Sequence, residues 1–149
     1  MAFQVKEYDA DQIVIIIAGV TVSRGAGQSG YADGEFVSIG FKPQFTMKKG
    51  TDGSATRSKT NDRETDIKIN LMQTNSLNAA FSALLMADVS TPNGSGIGSF
   101  VLQDLQGTTF VSVPSAWLVA PADISLDRDA KSRVWAVSGL WDVAMIGGN

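Results

Sequence analysis

MKKGTDGSATRSKTNDRETDIKINL, residues 47–71, splits into two parts of opposite character, and that split decides the fold. The second part, ETDIKINL (64–71), alternates strictly. Ile67, Ile69 and Leu71 fall on one face and Asp66, Lys68 and Asn70 on the other, which is the two-residue period of a strand dry behind and wet in front. The first part, residues 47–63, has no large apolar residue after Met47 to tie it to a core. Connections of this length are uncommon in compact domains, and those that occur serve binding or stay disordered. Residues 47–63 therefore read as a long polar loop. It carries Lys48, Lys49, Arg57, Lys59 and Arg63, five of the chain's twelve Lys and Arg, together with Asp52.

On the N-terminal side, EFVSIGF (35–41) alternates Val37, Ile39 and Phe41 with Phe36, Ser38 and Gly40, and a second strand continues at Phe45 after Pro43. Earlier still, QIVIIIA (12–18) is apolar on both faces, as expected of a strand covered on both sides. On the C-terminal side, NSLNAAFSALLMAD (75–88) is the one convincing helix. Leu77, Phe81, Leu84 and Leu85 form its stripe, Thr74 or Asn75 can cap it, and Pro92-Asn93-Gly94 ends it. Residues 98–104, 108–113 and 116–119 read as short strands, followed by a hairpin from Ile124 and Leu126 through a charged connection into a long last strand, 133–143. About eight strands and one helix imply a mainly β domain spanning residues 1–149: two antiparallel sheets packed as a sandwich or barrel, with one flanking α-helix.

Composition excludes several chemistries. There is no Cys, hence no disulfide, thiolate metal site or thiol nucleophile, and there is no His, the usual general base and commonest metal ligand. No cofactor or metal is expected, and an enzyme is the weakest functional class. The start, MAFQVKEYDADQ, is too polar for a secretory signal, so retention in the cytoplasm is expected. Net charge is −3, against general nucleic-acid binding, but its distribution is uneven. Residues 42–68 hold seven bases and four acids, net +3, which leaves five bases and eleven acids, net −6, elsewhere. Opposite patches on one small domain attract each other between copies.

Local motifs have plainer readings. Gly25, Gly27 and Gly30 fit the G-x-G-x-x-G pattern, but no helix follows, so a surface loop is expected. Asp62, Glu64 and Asp66, or Asp127 and Asp129, lack the spaced ligands and Gly of a calcium loop and read as solvated faces. No aromatic residue interleaves the bases of 47–63 for stacking on nucleic-acid bases. That leaves a solvated loop or a contact with an acidic surface. Asn93-Gly94-Ser95 is formally a glycosylation sequon and reads as a turn. Trp117, Trp135 and Trp141 serve as core or interface anchors, or else line a ligand pocket in a monomeric β-barrel binding module. Trp135 and Trp141, six residues apart, share a strand face.

The order of elements resembles the tail tube proteins of contractile-tailed bacteriophages and related particles. The resemblance rests on QIVIIIAG, the strand pair split by MKKGTDGSATRSKTNDRETDIKINL, the helix NSLNAAFSALLMAD and the closing ISLDRDAKSRVWAVSGLWDVAMIGG. It implies a structural virion protein whose hexameric rings stack into a hollow tube through which DNA passes without specific binding. The tube subunit of a tailocin or of a type VI secretion system is the alternative. Tail sheath, baseplate hub and tail terminator proteins would be partners, in a virion tail assembled in the host cytoplasm. Lys48, Lys49, Asp52, Arg57, Lys59 and Arg63 would belong to an inter-ring loop, and Asp66, Lys68 and Asn70 would face the lumen. The acidic body suits such a conduit, because a like-charged wall repels the phosphate backbone. The loop's lack of apolar residues implies a polar, salt-sensitive contact.

Overall fold

A computed structural model describes residues 3–22, 36–94 and 96–148; the glycine-rich run 25–30, Glu35 and Ser95 of the sequon lie outside them. The elements follow in the order β1 (Ile13–Ile17), β2 (Val20–Thr21), β3 (Val37–Phe41), β4 (Phe45–Lys49), β5 (Ala55–Lys59), β6 (Glu64–Met72), α1 (Leu77–Ser90), β7 (Gly98–Asp104), β8 (Phe110–Ala120), β9 (Ser132–Leu140) and β10 (Val143–Met145). They make two antiparallel sheets and one helix, as the sequence implied. The large sheet runs β2-β1-β7-β8-β9-β6-β3, with β10 on β8, and the small one is β4-β5.

The β6 alternation holds residue for residue. Thr65, Ile67, Ile69 and Leu71 are buried, while Asp66, Lys68 and Met72 are exposed and Asn70 is half-buried. On its two flanks Ile67 lies opposite Ile39 and Val137, and Ile69 opposite Val37 and Trp135. These side chains join Ile15 and Ile17 of β1, Phe100 of β7, Val111 and Val113 of β8, and Leu77, Phe81 and Leu85 of α1 in one apolar cluster. Burial of this kind of surface, worth about 25 cal/mol per Å², is the main stabilising term. The helix begins where Asn75 Oδ1 accepts a 2.9 Å bond from Leu77 N–H, so Asn75 is the capping residue. Trp135 locks α1 to the sheet. Its Nε1 donates to Asn78 Oδ1 at 2.9 Å, and its ring meets Phe81 edge-on with centroids 5.6 Å apart.

Several local expectations need correction. The last strand, expected over 133–143, ends at Leu140 and is followed by the separate β10, so Trp141 lies outside it and does not share a strand face with Trp135. Residues 108–113 and 116–119 are not two strands but parts of β8, which passes through Pro114 at a shift of register between the pairs Phe100/Val113 and Gly98/Ala116. A proline has no N–H to give a ladder, and a bulge is where a strand tolerates one. Ile124 and Leu126 form no strand and are 72% and 76% exposed, because alternation supplies a pattern but no partner edge. Residues 47–63 are not a structureless loop, as described next.

Candidate functional site

Most of the polar stretch is a β-hairpin. β4 and β5 pair in register from Phe45/Lys59 through Met47/Arg57 to Lys49/Ala55. The chain reverses over residues 50–54. Gly50 N–H donates to Ser54 O at 2.7 Å, Gly53 N–H donates to Gly50 O at 3.2 Å, and Gly53 takes φ +87°, a conformation that favours glycine. Asp52 ties the tip: its Oδ1 accepts from Ser54 Oγ at 2.6 Å and Ser54 N–H at 3.0 Å. Those bonds, the hydroxyl first, hold the Asp52 carboxyl below its usual range. Thr56 and Ser58 at alternate positions, with a Gly-containing turn, give a hairpin without any large apolar residue in β5. Hydrophobic content was therefore the wrong signal for its order, and turn chemistry the right one.

The arm's base is braced against the body. Gln44 Nε2 donates to Lys42 O at 3.0 Å and to Asp62 O, and Thr60 donates through N–H to Gln44 O at 2.8 Å and through Oγ1 to Pro43 O at 2.9 Å. Lys42 Nζ lies 3.2 Å from Glu64, whose hydrogen bond and charge raise the lysine's pKa. Arg63 belongs to this base rather than to the arm. Its guanidinium lies 4.3 Å over the Trp141 ring, its Nη1 donates to Asp142 O at 3.3 Å, and its O accepts from Trp141 N–H at 2.9 Å. Trp141 in turn meets Phe41 edge-on at 5.7 Å.

Beyond the base, all ten residues of β4 and β5 are exposed. Pairing puts Phe45, Met47, Lys49, Ala55, Arg57 and Lys59 on one face and Thr46, Lys48, Thr56 and Ser58 on the other. The first face is mixed: Phe45 and Met47 are 47% and 64% exposed, and the Arg57 guanidinium lies 3.7 Å over the Phe45 ring. Pleating thus gathers the two apolar residues of β4 beside the bases of β5. A hollow of about 340 Å³ lies toward the tip, lined by Lys48, Thr56 and Ser58 of the second face together with Lys49, Gly50 and Ser54, a chemistry suited to carboxylates.

The wet face of β6 is a separate surface. Asp66 accepts from Ser138 Oγ at 3.2 Å, and Asp66 and Lys68 lie opposite Gly40 and Ser38 on one side and Ser138 and Ala136 on the other. The result is a low-relief wall with one acid and one base at its centre, so this patch is balanced rather than acidic. Along the outer side of β3, Val37, Ile39 and Phe41 have no strand partner among the described residues.

Other sequence motifs disperse. Glu64 pairs with Lys42, Asp62 Oδ1 accepts from Glu64 N–H at 3.1 Å, and Asp127 pairs with Lys131 at 3.4 Å. The tryptophans do not converge on a cavity. Trp135 is buried against α1, Trp141 sits at the arm's base, and Trp117 borders a groove with Asp88, Gly94 and Ile97. The ligand-module reading therefore loses its site. No helix among the described residues is long and apolar enough to cross a membrane.

No curated protein matches the sequence. Among solved structures the fold is similar to the tube-terminating cap of the anti-feeding prophage, determined by cryo-EM, with a TM-score of 0.53 at 8% identity over 93% of this chain and 90% of that one. The model of the bacteriophage PhiTE tail tube protein family matches residues 7–144. With nearly the whole chain matched, and with the strand pair, arm and helix in place, this protein belongs to the family of the bacteriophage PhiTE tail tube protein.

Proposed function

We propose that this tail tube protein closes six copies into a ring, and that the rings stack into a hollow tube through which DNA passes. The observation that supports the reading is the arm: a braced hairpin whose ten strand residues are all exposed, with nothing among the described residues covering them. A two-stranded hairpin is marginal in water by itself, so a partner surface completes it. The uncovered side of β3 supports ring closure, since an open edge is otherwise an aggregation hazard and a closed ring removes it. The wall built on Asp66, Lys68 and Asn70 with small neighbours suits a lumen that passes a charged polymer without gripping it. Sheath, baseplate hub and terminator proteins would flank such a tube in a contractile tail assembled in the host cytoplasm, and no catalysis is involved.

Electron microscopy of the purified protein, alone or with tail initiation components, is expected to show annular particles or tubes. A protein that stays monomeric and never enters tails refutes the proposal. Deleting residues 50–59 is expected to spare the fold and weaken stacking; tubes assembling unchanged would remove the arm from the mechanism. A tailocin or secretion tube is the second reading, favoured by a fold shared with a cap that terminates a tube. Neighbouring genes separate the two: capsid and terminase genes on one side, secretion membrane components on the other.

A further inference from the structure

Besides the arm, the molecule holds a second piece of β pattern with no strand partner among the described residues. Residues 3–8, FQVKEY, alternate Phe3 and Val5 with Gln4 and Lys6, the period of a half-buried strand. They lie outside any strand, with Phe3 94% and Val5 93% exposed. Acids follow directly, at Glu7 and Asp9. The segment meets the body where Asp9 N–H donates to Gln106 Oε1 at 3.2 Å, beside Asp104 and the 58% exposed Leu105.

The arm is the complement of this segment. Lys48, Lys49, Arg57 and Lys59 face one acid, Asp52, and the mixed face adds Phe45 and Met47. Neither outer edge of β4 or β5 has a strand partner among the described residues. A third strand with apolar contacts is what a lone hairpin lacks, and main-chain pairing plus alternate side chains is a recurrent way for an extended segment to bind an edge.

Strand order points to a partner in another copy. Within one chain the two features sit on opposite flanks of the large sheet, the segment leading into β1 and the arm hanging from β3 and β6. Both nevertheless point to the same end. Ile13 starts β1 opposite Asp104, and the adjacent Gln103 lies opposite Phe110. The arm leaves from Phe41 and Glu64 at the level of Leu140 and Ser115, the end of the sheet toward which β3 runs and from which β6 departs, and toward which β8 runs back to Phe110. Copies placed flank to flank bring one arm alongside the next segment. We propose that residues 3–8 of one copy add as a third strand to the arm of a second copy, with Glu7 and Asp9 against Arg57 and Lys59. This rests on the polymerisation reading and names the surface that the arm engages.

The test uses two charge-reversed full-length variants, Arg57→Glu with Lys59→Glu and Glu7→Lys with Asp9→Lys, all at exposed positions. The variants give up only the Arg57–Phe45 stacking and the Asp11 N–H bond to Asp9 Oδ1, so each should stay folded. Each should lose at least tenfold of its sedimentable assembly, and an equimolar mixture should regain it, because each variant's arm then meets the other's segment. Normal assembly by either variant alone, or no rescue on mixing, overturns the proposal while wild-type tubes uphold polymerisation. The second measurement does not depend on tubes. The chain has no Cys, so a single Cys walked across residues 3–8 and mixed with Met47→Cys subunits should give a covalent dimer at one or two positions on oxidation. No cross-link at any position overturns it, even if wild-type tubes never form.

Discussion

Removing the indole N–H of Trp135 is the sharpest check on how α1 is held to the sheet. Trp135→Phe keeps a ring against Phe81 and deletes the 2.9 Å bond to Asn78 Oδ1. Asn78 is 7% exposed, and its Nδ2 is already committed to Met72 O at 2.9 Å and Asn75 O at 3.0 Å, so the side chain cannot swing away to find water. A buried acceptor left unpaired costs about 1–3 kcal/mol. For a chain near 150 residues, about 2 kcal/mol corresponds to a fall of about 4–8 °C in Tm. The assay is thermal and urea unfolding of Trp135→Phe, Asn78→Ala and the double variant. Groups in one hydrogen-bond network should couple by about 0.5–3 kcal/mol. Additivity to within about 0.3–0.5 kcal/mol, the behaviour of independent sites, would refute the bond as the lock.

Gly139 offers a second test: a Cβ there would meet Ser115 O at 2.5 Å and Val113 Cγ1 at 2.6 Å, where β8 bulges past Pro114. Gly139→Ala should therefore destabilise by about 1–3 kcal/mol through overpacking, and an unchanged urea midpoint would contradict the close approach. The arm's tip should respond to acid. Ser54 holds the Asp52 carboxyl below the ordinary aspartate range, so its support for the turn is complete in and above that range and disappears as pH falls through the lowered pKa. Amide exchange at Ser54 should accelerate over that window in wild type and be fast throughout in Asp52→Ala, whereas a pH-independent wild-type rate beyond intrinsic chemistry would show that the carboxylate does not hold the tip.

One kind of residue was legible in the sequence. Where burial repeats with a fixed period, as in Ile67, Ile69 and Leu71 of β6 or Leu77, Phe81 and Leu85 of α1, the pattern encodes both element and face, because solvent acts on each residue alike. What misled was treating absence of apolar residues as absence of structure: the arm is ordered by Gly53, Asp52 and main-chain pairing, which contribute nothing to hydropathy. Pro114 misled in the opposite way, since a strand that should have broken is carried through by its neighbours' register.

The sequence by itself determined the mainly β class, the single helix, the dry and wet faces of β6 and the exclusion of thiol and imidazole chemistry, since all of these follow from residue identity and short-range period. Only the tertiary structure decided that Arg63 braces the arm on Trp141 rather than reaching outward. It alone decided that Phe45 and Met47 share a face with Arg57 and Lys59, and that the arm and residues 3–8 leave the same end of the sheet on opposite flanks. Those relations join residues up to 78 positions apart, as Arg63 and Trp141 are. They are set by strand register and sheet order, which depend on the packing of the whole core and leave no local signature in the chain.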